Sequence, residues 1–175
     1  MTDTQSAFNN TSDDASTSAA PENESSRSTT SRIVVGIDGS ETSIEALRRA
    51  AGIARALGAP LEAIAVWHVP VSMYDVYSPE PGWSPDQEAA TMLAETAEKV
   101  FGSELPEWFT AVTAPGTPAK VLIEASKDAE MLVVGSRGHG GFVGLLLGSV
   151  SSACVAHAHS PVLIVRPEVA AAASD

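Results

Sequence analysis

Apolar residues recur along this chain in two alternating patterns: short continuous runs, and longer stretches with a single apolar face. Arg32–Ile37, R-I-V-V-G-I, is short and β-branched, as expected of a strand buried on both faces. Behind Asp38-Gly39-Ser40 comes an amphipathic stretch in which Ile44, Leu47, Ala51, Ala54 and Leu57 share one face. Thr42 and Glu45 there have the spacing of a capping box, and Gly58 stands in the C′ position that ends a helix. Leu61–Val69 predicts a second strand, closed by Pro70, and the stretch from Val71 to Pro85 is too interrupted by proline and aromatic residues to be regular. Asp86 to Gly102 has helical periodicity, and Trp108–Val112 predicts a third strand. Gly116-Thr117-Pro118 opens a helix over Ala119–Lys127, with Thr117 as N-cap and Pro118 at N1. Met131–Val134 is a fourth strand, Val150–His159 a further helix, and Val162–Val165 a fifth strand before Pro167.

Strands separated by helices predict an α/β domain, a doubly wound five-stranded parallel sheet with helices on both faces and right-handed crossovers. In such sheets ligands bind beyond the carboxyl ends of the strands, where Asp38, Val69 and Gly135 all fall. The fourth strand runs there into a glycine-rich segment. Six of the 13 glycines lie between Gly135 and Gly148, and Gly135, Gly138, Gly148 and Ser149 have the spacing G-x-x-G-(nine residues)-G-[S/T]. In a chain of this composition that spacing arises by chance about once in a hundred. Backbone without Cβ atoms can approach a ligand closely and turn its N–H groups inward on an anion. Ser149 reads as the N-cap of the helix that follows, whose N-terminus adds free N–H groups and partial positive charge suited to phosphate. No Gly-Lys-[Ser/Thr] occurs, so this is not a P-loop, and G-x-G-x-x-G fails at Val143. Arg137 is the segment's one fixed cation.

Composition divides the chain. Residues 1–31 hold 14 Ser or Thr, five acids, one Arg and almost nothing large and apolar, which predicts a disordered tail. Residues 168–175 are expected to be disordered as well. The net charge is −12; the tail carries −4 of it, leaving −8 on the rest, a balance that argues against nucleic acid and anionic membrane as partners. No basic start with an apolar core marks a signal peptide, and no apolar run approaches a membrane span, so a soluble cytoplasmic protein is expected. Cys154, the sole cysteine, allows no internal disulfide and reads as a small core residue.

Candidate chemistry centres on Asp38. A carboxylate beside a polyphosphate would be repelled by about a few kcal/mol at an effective dielectric near 20. It therefore binds ribose hydroxyls or a Mg²⁺ that bridges to phosphate, or else it only caps the next helix, an ambiguity Ser40 shares. His68, His139, His157 and His159 lack metal-ligand spacing. His139-Gly140-Gly141 has a faint likeness to an esterase oxyanion loop, but no G-x-S-x-G elbow accompanies it.

I-V-V-G-I-D-G-S, A-V-W-H-V, G-T-P-A and V-V-G-S-R-G-H-G-G-F-V-G-L-L-L-G-S-V-S, with H-S-P-V-L-I-V-R-P at the end, together resemble the universal stress protein family in its single-domain bacterial form, over about 32–167. The glycine spacing resembles that of the family's nucleotide-binding branch. The resemblance implies an adenine-nucleotide α-hydrolase-like domain that binds ATP, with Mg²⁺, and dimerises by pairing its last strands. It implies that Gly36, Asp38 and Ser40 lie by the nucleoside or its metal and that backbone at Val69 meets adenine. Gly135, Ser136, Arg137 and Gly138 would line ribose and phosphates, and Gly148, Ser149, Val150 and Ser151 would hold the phosphates. The expected role is a nucleotide-dependent conformational or association switch with at most weak ATPase activity. The alternatives are a slow ATP hydrolase or adenylyl-transferring enzyme on the same scaffold, and a structural dimer that binds no nucleotide.

Overall fold

The computed structural model describes residues 32–68, 84–138 and 146–167. The expected tail at 1–31, the C-terminal end at 168–175, Val69 and nearly all of the irregular segment after it lie outside these residues. Five strands and four helices alternate along the described chain: β1 (Arg32–Ile37), α1 (Glu41–Leu57), β2 (Leu61–Trp67), α2 (Pro85–Phe101), β3 (Phe109–Pro115), α3 (Pro118–Ala125), β4 (Ala129–Gly135), α4 (Ser149–His157) and β5 (Val162–Val165). A single 3₁₀ turn, Ser126–Asp128, joins α3 to β4.

All four strand pairings are parallel, in the order β3-β2-β1-β4-β5. The chain builds outward from β1 through β2 to β3, then returns to lay β4 on the other side of β1. That reversal puts a crevice at the carboxyl ends of β1 and β4. Alternate residues of the central strands feed two cores. Ile33, Val35, Ile37, Ala63, Ala65 and Val133 point into one, covered by α1 and α2. Val34, Ile64, Leu132 and Val134 point into the other, with Leu122 of α3 and Cys154 of α4. The fold class expected from the alternating pattern is thus the one observed.

The local details depart from the periodicity. Leu57, assigned to the apolar face of α1, is 60% exposed, and the buried face is instead Thr42, Ser43, Ala46, Leu47, Ala50, Ala51 and Ala54. Small side chains are favoured there because the helix lies close to the sheet. The N-cap of α1 is Ser40, whose hydroxyl accepts from the Ser43 N–H at 3.2 Å. No Thr42–Glu45 box forms, because Glu45 turns outward to Arg48 and Arg49, at 3.3 and 2.8 Å. Gly58 ends α1 with φ 63°, the left-handed cap expected of it. Thr117 occupies the N-cap position of α3, yet its side chain makes no capping hydrogen bond. Strand β3 runs on to Pro115, beyond the expected end, since its whole length pairs with β2. At the opposite end of the sheet the Ser126 hydroxyl donates to the Ile123 carbonyl at 2.6 Å and accepts from the His159 N–H at 2.9 Å. That one buried side chain ties the end of α3 to the approach of β5.

Gly36 lies in β1 under α3, and a Cβ there would sit 2.7 Å from Leu122 Cδ1. Gly36→Ala is expected to cost about 1–3 kcal/mol of unfolding free energy through overpacking. Adding Leu122→Ala should relieve the clash, so that in urea denaturation the double variant loses less than the sum of the two single variants.

Candidate functional site

The turn after β1 is built around Asp38. Gly39 takes φ 79°, a conformation that glycine adopts without strain. This lets Asp38 Oδ1 accept from the Ser40 N–H at 3.1 Å and from the Ser40 hydroxyl at 2.6 Å. Asp38 therefore organises the turn, and the capping of α1 falls to Ser40. The carboxylate is exposed and its other oxygen faces Gly138, where any Cβ would overlap it. Asp38 and Gly138 are a hundred residues apart in sequence, and the β1–β4 pairing brings them together.

The glycine segment is anchored at both ends by one carbonyl. Ser136 is buried, and its N–H donates to the Val165 carbonyl at 2.6 Å, extending the β4–β5 ladder by one residue. Its own carbonyl accepts from the Gly148 N–H at 2.8 Å and from the buried Ser151 hydroxyl at 2.9 Å. The chain that leaves β4 is so returned to its starting point before α4 begins. Gly148, not Ser149, is the N-cap of α4, and Ser149 is its first residue. The first helical bond is Ser152 N–H to the Gly148 carbonyl, at 2.9 Å. The N–H groups of Ser149, Val150 and Ser151 precede it and have no carbonyl a turn back within the helix. The positive end of α4 thus lies beside Ser136, at the end of β4.

The four glycines assigned to the site differ in what they do. Gly36 makes room for Leu122. Gly135 makes room for α1, since a Cβ there would lie 2.7 Å from Thr42 Oγ1 and 3.0 Å from the Thr42 carbonyl carbon. Gly138 makes room for Asp38. Gly148 has an ordinary extended backbone, φ −79° and ψ 174°, and among the described residues a Cβ there would meet no atom closer than 3.6 Å, so the described part of the fold does not demand glycine. Arg137 is half-buried, and its carbonyl accepts from the Thr42 hydroxyl. Thr42, assigned from its spacing to a capping box, is thus in contact with the glycine segment. Its place on the buried face of α1, four residues beyond Asp38, is the signal that could have revealed it. Val69 and His139 lie outside the described residues.

Asp38, Ser40, Ser136, Arg137, Gly138, Gly148 and Ser151 thus gather at one edge of the sheet. Among the described residues no group of three or more His, Cys, Asp or Glu side chains could hold a metal ion. Cys154 lies buried in the second core, where burial pushes its thiol pKa up, the reverse of what a reactive thiol needs.

A doubly wound sheet with a glycine segment and a helix N-terminus at the end of β4 defines a class of small α/β domains. The chain belongs to the universal stress protein family, whose model matches residues 29–166. It is 37% identical over 140 residues to a universal stress protein of Mycolicibacterium smegmatis, a match covering 77% of this chain and 45% of that protein. A universal stress protein of Methanocaldococcus jannaschii is 32% identical over 140 residues, with 77% and 81% covered. The chain spans less than half the length of the mycobacterial relatives it matches. Among solved structures, a universal stress protein from Lactobacillus plantarum superposes with a TM-score of 0.65 at 22% identity, over 78% of this chain and 98% of that one. Another, solved in complex with cAMP, superposes with a TM-score of 0.58 at 28% identity, over 78% and 97%. The fold is the adenine-nucleotide α-hydrolase-like one. No described helix is long and apolar enough to cross a membrane.

The different duties of the glycines yield a stability test. Gly135→Ala should destabilise the domain by about 1–3 kcal/mol, because the Cβ is forced against the backbone of α1. Gly148→Ala should stay within about 0.5 kcal/mol of wild type in the same chemical denaturation.

Proposed function

We infer that this protein binds an adenine nucleotide, ATP with Mg²⁺, at the crevice between β1 and β4, and that binding works as a conformational or association switch. The observation that carries the reading is Gly148. Neither its backbone angles nor its neighbours among the described residues require glycine, yet it is the residue from which α4 presents its N–H groups. A ligand that must approach this backbone closely accounts for it, and phosphate is the ligand a helix N-terminus favours. Asp38 then faces the same edge with a carboxylate suited to ribose hydroxyls or to a Mg²⁺ shared with phosphate oxygens. The donor set fits a metal-bearing nucleotide better than a bare anion, since Asp38 would repel the latter. The cAMP-bound relative supports the adenine part of the reading.

Within this reading the twelve assigned positions divide by task. The N–H groups of Ser149, Val150 and Ser151 are the donors for phosphate. The Gly148 N–H and the Ser151 hydroxyl are already bonded to the Ser136 carbonyl and serve to shape the segment. Ser40 orients Asp38, and Gly36 and Gly135 act through packing. Arg137 and Gly138 border the carboxylate, and Val69 would offer its backbone to the base. The enzyme alternative needs a positioned general base or nucleophile, and no assigned residue takes that role, so turnover, where it occurs, is slow.

The switch reading extends to assembly. Strand β5 closes the sheet on one side, uncharged from Val162 to Val165. Among the described residues no strand pairs with its outer side, and an edge of this kind invites a second copy across a two-fold axis. Leu163 packs against one core and Ile164 against the other, so polar side chains there would injure the fold as well as the edge.

Nucleotide identified by mass spectrometry after denaturing the purified protein is the direct test. Millimolar Mg-ATP at about 100 times Kd should stabilise the protein by roughly 2.7 kcal/mol; an apo protein with no thermal shift would overturn the reading. Gly148→Val and Gly138→Glu are expected to abolish binding in calorimetry while Gly148→Val keeps its melting transition, and unchanged affinity in both would remove the site. For assembly, Ile164→Pro, which takes away a donor from the edge, should give a folded monomer by light scattering where wild type is a dimer.

A further inference from the structure

Thr42 is a buried hydroxyl-bearing residue in the first turn of α1, only 7% exposed. It does not cap the helix. Its hydroxyl donates to the Arg137 carbonyl, and its Cβ and backbone fill the space that Gly135 leaves empty at the end of β4. Its oxygen also lies 3.1 Å from that of Ser40, but the Ser40 proton goes to Asp38 and the Thr42 proton to Arg137, so no hydrogen bond joins the two. Asp38 and the glycine segment are therefore each tied to the start of α1, Asp38 through Ser40 and the segment through Thr42. The neighbouring carbonyl, that of Ser136, is held from the α4 side by Ser151 and Gly148. Two consecutive carbonyls are thus secured by hydroxyls from two different helices.

We propose that Thr42 is a positioning residue for the nucleotide site: it locks the root of the glycine segment to α1 and keeps Gly138 in register with Asp38. The proposal rests on the nucleotide-binding reading for its effect on affinity. Segments with few apolar contacts open locally, and a ligand that binds only the ordered form meets it less often when opening is frequent. Glycines 135 and 138 give the described root of this segment, residues 135–138, little side-chain packing of its own, so what grips its carbonyls holds it in place. Position 42 thus needs a small side chain that carries a hydroxyl. Its Cβ, oxygen and backbone fill the hollow above Gly135, and the oxygen donates to the Arg137 carbonyl.

Thr42→Val keeps the shape and removes the donor, whereas Thr42→Ser keeps the donor and removes the methyl group. Two measurements on the full chain separate them: Mg-ATP affinity by calorimetry, and hydrogen exchange of the Gly148 amide, which is bonded to Ser136. T42V should weaken Mg-ATP about tenfold and speed Gly148 exchange about tenfold, in line with the loss of one buried hydrogen bond. The amides of Leu47 and Ala50 in the middle of α1 should keep their wild-type protection, and T42S should restore both readouts to within about threefold of wild type. Should T42V fail to fold, Thr42→Ala takes its place in the same comparison. Unchanged Gly148 exchange in the variant lacking the hydroxyl overturns the proposal. So does T42S behaving as badly as T42V, since packing alone would then be responsible. If wild type binds no Mg-ATP, the functional reading falls by itself, and the exchange comparison still decides whether Thr42 locks the segment.

Discussion

The constraint on which the rest of the structure depends is the double burial of β1 and β4. Both strands lie inside the sheet, so helices must cover both faces, and each face must be approached closely enough to leave no void. At the carboxyl ends of these strands the approach is made by removing side chains. Gly36 in β1 admits Leu122 from the α3 face, and Gly135 in β4 admits Thr42 from the α1 face. The two glycines point to opposite sides of neighbouring strands, which allows both helix layers to close down at one end of the sheet. Along the remainder of β1 and β4 the same contact is made by branched side chains against Ala46, Ala50 and Ala54 on one face.

Polar atoms gather at that end because the chain leaves the sheet there. Every strand terminus strips a few backbone groups of their ladder partners, and such groups must be satisfied wherever they are buried. The Ser136 and Arg137 carbonyls find hydroxyls from α4 and α1, and the Ser136 N–H finds the end of β5. Among the described residues, the N–H groups at the start of α4 have no carbonyl a turn back within the helix. The anion site proposed above falls there, at the same end of the sheet as a carboxylate held by its own turn.

This division of labour changes how the glycine spacing is understood. G-x-x-G-(nine)-G-[S/T] looks like a single device for holding phosphate, yet its members answer to different neighbours: Gly135 to α1, Gly138 to Asp38, and Gly148 to no atom of the described residues closer than 3.6 Å. Ser149 begins α4 without capping it, since the hydrogen bond from the Gly148 N–H to Ser136 sets the helix start one residue earlier. A motif in sequence can therefore combine close packing and helix capping under one spacing.

The sequence by itself determined the elements and their layers. Strands buried on both faces and helices with one apolar face announce themselves through composition and period, because those patterns follow from local geometry and from the simple requirement of burial. Sequence likewise pointed to one end of the sheet for the proposed site, since Asp38 follows directly on β1 and Gly135 is the last residue of β4. What only the tertiary structure decided are the contacts between residues far apart in the chain: Thr42 with Arg137, Asp38 with Gly138, Ser126 with His159. In the sequence Thr42 and Ser40 are equally good caps, and Leu57 is as apolar as Leu47. The choice between them depends on how near α1 lies to β4, a distance set by packing across the sheet and by no property of α1 alone.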